Sequence, residues 1–283
     1  MRIPFRLVDV FTERPLAGNQ LCVVPDGSDV PQGLMQALAR EIGFSETTFV
    51  ISAEGDRYRM RIFTPAKELP FAGHPTLGTA FVLVMDGRIT SAAVQEVPAG
   101  EFRVDVDSAA GTAAVLQHSP QFGHVVGNRT RLAEAVSLEA DEIDSDRPAQ
   151  TISTGLPILI VPAASQESVV RAVPRAEPIA RLLAEAEADG LYLFSLTEDG
   201  AKARMFAPEV GVAEDPATGG AAGPLGAYLV QNGLRPPGRI TISQGHEIGR
   251  PSVLHVDVGR DDDDWQVKVS GGVRIVGSGE FEV

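Results

Sequence analysis

The chain has 283 residues, 43% of them hydrophobic and 22% charged, an ordinary composition for a folded protein with apolar material for two cores. A formal net charge of −14 and a sequence pI near 4.8 argue against nucleic acid or an anionic membrane as partner, though not against a small anionic ligand in a locally positive site. The single cysteine, Cys22, excludes an intrachain disulfide, and no run reaches the ~18 apolar residues of a membrane span.

In chain order, Phe5 to Phe11 and Leu21 to Val24 predict strands. Leu34, Leu38 and Ile42 fall at helical spacing, with Pro31 near the start and Gly43 at the end. Thr47 to Ser52 and Tyr58 to Phe63 are β-branched and aromatic, and predict strands. Pro75 opens a second helix through Leu77, Ala80, Phe81 and Val84; Val94 to Val97 and Phe102 to Val106 follow as strands. A boundary falls between Ser119 and Asn128, and Glu139 to Arg147 is an acidic, solvated stretch. The order then repeats: strand Ile158 to Val161, helix Ile179 to Ala188, strands Leu191 to Leu196 and Ala203 to Phe206, and helix Pro216 to Val230. Strands Ile240 to Ser243, Val253 to Val258, Trp265 to Val269 and Gly272 to Val276 complete it. The four acids Asp261 to Asp264 read as a solvated hairpin tip, since a metal loop would space its ligands around a glycine turn.

The repeat is written in the residues. Arg61-Ile62-Phe63-Thr64-Pro65 returns 143 residues later (61 to 204) as Arg204-Met205-Phe206-Ala207-Pro208. His74-Pro75-Thr76-Leu77-Gly78 returns as Asp215-Pro216-Ala217-Thr218-Gly219, and Gly18 to Pro25 has a looser echo in Gly155 to Pro162. Two pseudo-symmetric domains are expected, residues 1–124 and 125–271, with strand 272–283 a candidate to complete the first. The ligand site is expected in a cleft between them.

Each x-Pro-x-x-Gly block predicts a helix start, with His74 and Asp215 as N-caps. Amides near Gly73, Gly219 and Gly220 would then form anion sites aided by the helix dipole. A plain cap worth about 1 kcal/mol is the structural alternative for Asp215, whereas His74 is a poor cap. A helix N-terminus favours neutral imidazole, and a close Asp215 would oppose it. Glu46, where a helix has ended and an apolar strand begins, is either a surface acid or a carboxyl whose burial suits it to proton transfer. The five histidines show no paired ligand spacing, so no metal is expected. Ala217 to Gly223 lacks the order of a nucleotide loop.

With Ser45-Glu46-Thr47-Thr48-Phe49, the block Glu68 to Gly78, and Asp215-Pro216-Ala217-Thr218-Gly219 in hand, the chain resembles the PhzF-like family of phenazine-biosynthesis isomerases and epimerases. Val8 to Thr12, Pro15 to Gln20, Gln244-Gly245 and Gly249 to Ser252 also match. The resemblance spans essentially the whole chain. It implies the diaminopimelate-epimerase-like α/β (α+β) fold, in which each half is a barrel-like sheet around a central helix. It also implies a homodimer without cofactor, and a proton shift on a small anionic substrate; the cytoplasmic location is expected instead from the lone cysteine, which suits a reducing compartment. By that likeness Glu46 is the general acid/base, His74 and Asp215 bind and polarise the substrate, and the amides near Gly73 and Gly219 hold its carboxylate. Gly220 and Asn19 are counted with the binding residues. Typical members carry serine where this chain has Gly220, which bears on the substrate more than the fold. The related two-cysteine racemase mechanism is excluded, because Cys22 has no second thiol. The alternative from another class is a small-molecule binding or sensor protein on the same fold, disfavoured because a binder has no use for a proton-transferring carboxyl.

Overall fold

The computed structural model describes residues 1–261 and 264–283. They divide into two compact units, residues 1–116 with 270–283, and residues 117–269.

Unit 1 runs β1 (Arg2–Val10), β2 (Asn19–Val24), α1 (Gln32–Ile42), β3 (Glu46–Glu54), β4 (Arg57–Phe63), β5 (Glu68–Leu69), α2 (Gly73–Met85), β6 (Ala92–Val97), β7 (Gly100–Asp107) and β8 (Thr112–Gln117). Unit 2 holds β9 (Gln121–Val126), α3 (Arg129–Ala135), β10 (Ala149–Ser153), β11 (Pro157–Pro162), α4 (Gln166–Arg171) and α5 (Ala176–Ala186). It continues with β12 (Gly190–Leu196), β13 (Gly200–Ala207), β14 (Val212–Asp215), α6 (Gly219–Gln231), β15 (Gly238–Gln244) and β16 (Ser252–Asp261). The last strand, β17 (Asp264–Glu282), contributes its residues from Ser270 onward to unit 1.

In unit 1, β17, β1, β2, β3, β4, β6, β7 and β8 form a ring, because β8 pairs with both β7 and β17. The helix inside it is buried all round: Gly73 to Leu83 of α2 are buried without exception, His74, Thr76 and Thr79 among them. A predominantly apolar helix with no exposed face belongs in a core or a membrane. At 13 residues α2 falls short of the ~20 a bilayer requires, so it is a core helix. Its counterpart α6, also 13 residues, is buried from Gly219 to Val230.

Both units use one connection scheme. A parallel pair (β2 with β3, β11 with β12) leads into a hairpin (β3–β4, β12–β13) and a short strand beside it (β5, β14). The central helix follows, then a second parallel pair (β4 with β6, β13 with β15) and a second hairpin (β6–β7, β15–β16). The echo of Gly18 to Pro25 in Gly155 to Pro162 is therefore β2 and β11, each the first strand of a parallel pair. The Arg-x-Phe repeat is equally literal. Arg61 lies over the Phe63 ring and Arg204 over Phe206, both at 5.1 Å. Arg61 makes a two-pronged pair with Glu68 (2.7 and 2.6 Å), and Arg204 one with Glu214 (2.8 and 2.7 Å).

Strand β12 is buried on both faces. Leu191 and Leu193 join a cluster with Leu159, Val161, Leu182 and Leu183, while Phe194 packs edge-on against Tyr228 of α6 at 5.5 Å. Helix α1 ends as its sequence dictates, with Gly43 left-handed at φ 68 and its N–H on the Ala39 carbonyl.

Several expected boundaries move. The strands expected at Trp265 to Val269 and Gly272 to Val276 are one strand, β17. Gly271 and Gly272 do not break it; a side chain at either would collide with Phe11 or Thr12. Helix α6 starts at Gly219 rather than Pro216. The stretch Glu139 to Arg147 is not wholly solvated: Ile143 is buried, and Glu142 and Asp144 keep only 17% and 11% side-chain exposure. Glu142 is drawn in by Ser168 (3.1 Å) and Arg171 (2.8 Å). Of the acidic run Asp261 to Asp264, the middle two residues lie outside the described residues.

Candidate active site

Asn19 and Glu46 open the neighbouring strands β2 and β3, and Glu46 pairs in parallel register with Leu21. His74 is the second residue of α2. These three positions meet. Asn19 Nδ2 lies 3.0 Å from His74 Nδ1, and His74 Nε2 lies 3.4 Å from Glu46 Oε2. Asn19 and His74 are buried, at 1% and 3% exposure, and the Glu46 side chain keeps 13%. Glu46 is thus not the surface acid of the structural alternative.

Asn19 is delivered by the loop after β1. Gly18 takes φ +71 there, and any side chain on it would meet the Val10 carbonyl and Thr12. The buried Asp9 carboxylate holds that loop by accepting the Leu16 N–H at 2.7 Å.

His74 is not the N-cap. Ala72 fills that position, and Gly73, His74 and Pro75 are the first three helical residues. Proline is tolerated third for the reason it is tolerated first: none of the first four helical amides has an intrahelical acceptor. Burial pushes the His74 imidazole from its ordinary 6.5 down to about 3, against the weaker opposite pull of a hydrogen bond with the Gln20 backbone. The ring is neutral at physiological pH. The balance left open by the sequence, helix mouth against acidic neighbour, is decided by desolvation.

In unit 2, Asp215 ends β14 and is 7% exposed. It is not an N-cap either. Thr218 occupies that position before Gly219 and Gly220, the first two residues of α6. Thr218 makes no side-chain cap: its hydroxyl donates to Asp215 Oδ2 at 2.6 Å and accepts from Gln244 Nε2 at 3.1 Å instead. The Gly219 carbonyl accepts from Gln117 Nε2 at 2.9 Å. The expected residues therefore assemble within their own units: Asn19, Glu46, Gly73 and His74 in one, and Asp215, Gly219 and Gly220 in the other. Sequence reasoning gave no role to Gln244 and Tyr192, which are buried beside the Asp215 turn. Gln244-Gly245 was in view only as a matching dipeptide.

A family model described as "Phenazine biosynthesis-like protein" matches residues 8–279. The chain belongs to this family. It is 35% identical over 281 residues to a trans-2,3-dihydro-3-hydroxyanthranilate isomerase of Pseudomonas chlororaphis, covering 96% of this chain and 97% of that one. The solved structure of a predicted epimerase from Pseudomonas aeruginosa is 35% identical, covers 99% of each chain and superposes with a TM-score of 0.89. A probable proline racemase from Agrobacterium radiobacter, 10% identical, shares the fold alone, with a TM-score of 0.68 over 99% of this chain and 93% of that one. This PhzF-like isomerase thus has the α+β fold common to its family and to proline racemase.

Proposed function

We propose that this PhzF-like protein is a cofactor-independent isomerase or epimerase that shifts a proton on a small carboxylate-bearing metabolite, with Glu46 as general acid/base. One observation carries the reading: a partly shielded carboxyl lies 3.4 Å from an imidazole that burial keeps neutral. Glu46 as carboxylate takes a proton from a C–H acidified by a neighbouring unsaturated group. The electron pair delocalises into the substrate, and the resulting carboxylic acid returns the proton to another carbon. Neutral His74, oriented by Asn19, offers a hydrogen bond without a cation that would tie up the carboxylate. Asp215 binds and polarises the substrate, and the helix-start amides at Gly73 and Gly219 hold its carboxylate.

Relatives named trans-2,3-dihydro-3-hydroxyanthranilate isomerase, 34% and 35% identical, put that cyclic amino acid first among candidate substrates. Gly220 qualifies the choice. A Cβ there would sit 3.6 Å from Leu156 Cδ1, an ordinary contact, so the serine typical of the family fits the space. Gly220→Ser is expected to leave the unfolding midpoint unchanged and to shift relative kcat/KM among substrates.

The deciding experiment is incubation in deuterated water with a metabolite panel that includes trans-2,3-dihydro-3-hydroxyanthranilate, read by mass spectrometry. A unit mass gain is expected for the substrate, and Glu46→Gln should slow it by about 10²–10⁴-fold. No gain for any compound, or full exchange by Glu46→Gln, overturns the assignment. The proposal includes a homodimer, on the family resemblance, and a cytoplasmic location, which the lone cysteine suits. Light scattering of the 29.9 kDa chain should then return twice that mass.

A further inference from the structure

Gln244 closes β15 and is completely buried. A carboxamide brings two N–H donors and an oxygen that accepts twice. All four are used. Nε2 donates to the Asp215 carbonyl at 2.7 Å and to Thr218 Oγ1 at 3.1 Å. Oε1 accepts from the Tyr192 hydroxyl at 2.7 Å and from the Thr218 backbone N–H at 3.2 Å.

The direction of this chain is determined. A backbone amide only donates. The Asp215 carbonyl only accepts. The Gln244 oxygen must therefore face the Thr218 N–H and its nitrogen the Asp215 carbonyl, which leaves the Tyr192 hydroxyl, kept protonated by burial and then the Asp215 charge, to donate to the same oxygen. Thr218 Oγ1 accepts the second N–H of the Gln244 nitrogen, so its single proton goes to Asp215 Oδ2 at 2.6 Å. Backbone geometry agrees. Gly245 follows at φ +78, and a Cβ there would lie 2.5 Å from the Pro216 carbonyl, so the strand end passes directly against the turn.

The other unit offers an internal comparison. Buried Tyr58, Thr76 and Gln95 lie at the start of α2, but there the Thr76 hydroxyl is directed to the Ala72 carbonyl (2.8 Å) and to Gln95 (3.0 Å). A similar trio serves the helix in unit 1 and a carboxylate in unit 2.

We propose that Gln244 is a positioning residue for Asp215: its carboxamide, locked by the Tyr192 hydroxyl, fixes the Asp215–Thr218 turn and directs the Thr218 hydroxyl onto the Asp215 carboxylate. The proposal rests on the substrate-binding reading of Asp215, and its test is independent of any substrate. Gln244→Glu keeps the shape but replaces a donor with an acceptor, turning the Thr218 hydroxyl away from Asp215. Thr218→Val deletes that hydroxyl, and Thr218→Ser keeps it.

The full chain, labelled with 13C at aspartate carboxyls, is titrated by NMR without substrate, with Asp215 assigned through Asp215→Asn. Thr218→Val should raise the Asp215 midpoint by about one pH unit, because the charged form loses a hydrogen bond, and Gln244→Glu by more, because it also brings a like charge to the turn. Tyr192→Phe should raise it by less, and Thr218→Ser should return the wild-type value. Should Gln244→Glu fail to fold, the Thr218 pair and Tyr192→Phe decide. An unmoved midpoint in Tyr192→Phe and in Gln244→Glu overturns the role of Gln244, and an unmoved midpoint in Thr218→Val overturns the whole relay. The deuterium assay separates the two ideas. Shifted midpoints with a fully active Asp215→Asn sustain the positioning and sink the functional reading of Asp215. Fixed midpoints with an inactive Asp215→Asn do the reverse.

Discussion

A neutral imidazole beside a carboxyl has a cost that pH exposes. The folded-state pKa of His74, about 3, lies below its ordinary 6.5, so the unfolded chain takes the proton first. Stability is therefore lost as pH falls from 6.5 toward 3, by up to about 1.4 kcal/mol per pH unit from this group. Urea unfolding from pH 7 to 4 should show a shallower acid loss in His74→Asn than in wild type; equal slopes would mean the ring is charged in the fold. Cys22 is the opposite case. Burial raises its thiol to about 12, and iodoacetamide at pH 8 should modify it only after unfolding. His74 stood out in the sequence as a poor cap at an expected helix start, whereas Glu46 and Asp215 each had a plain structural alternative and took their expected roles from the family resemblance. Gln244, Tyr192 and Thr218 were not legible. Neutral polar side chains leave no periodic signal, and the Tyr192–Gln244 bond spans 52 residues.

Among the elements, the two central helices expose a difference between glycines that composition hides. In α2 a Cβ on Gly78 would lie 2.7 Å from Leu21 Cδ2, and in α6 one on Gly226 would lie 2.6 Å from Val256 Cγ1. Both let the sheet wrap the helix closely. Gly33 in α1 has open space around it. Gly226→Ala is expected to lower stability by about 1–3 kcal/mol, and Gly33→Ala to raise it by about 1 kcal/mol. Urea midpoints moving in the same direction for both would contradict the packing. Long apolar or β-branched runs made most of these elements readable. The start of α6 was misplaced because Pro216 looked like a first helical residue; Gln244 holds a turn there instead, donating to the Asp215 carbonyl and accepting from the Thr218 N–H. Strand β8 was missed because Ala113 and Ala114 are poor strand formers and leave Val115 as its one β-branched aliphatic residue.

At the scale of the molecule, the repeat was the most legible feature, and the return of the chain to its first unit was read only as a candidate strand. β1 pairs with β17 from Arg2↔Glu282 to Val10↔Val273, and Phe5 lies 4.5 Å from Phe281. A chain ending at residue 269 should leave β1 with one neighbour and unit 1 without cooperative unfolding. If that chain unfolds with the wild-type midpoint and slope, the closing strand is dispensable. The high negative charge adds a global prediction: moderate salt at pH 8 should raise stability by screening self-repulsion.

That closing strand also imposes an order on biosynthesis. When the ribosome has finished the first 116 residues, β1 has β2 beside it but still lacks its second antiparallel partner, β17, which is translated only after nearly all of unit 2. The nascent N-terminal sheet must wait with an open edge, while the later-made unit is one unbroken stretch of chain and needs no later segment to complete it. Synonymous codon changes that slow translation before residue 270 should therefore lengthen the exposure of that edge and lower soluble yield.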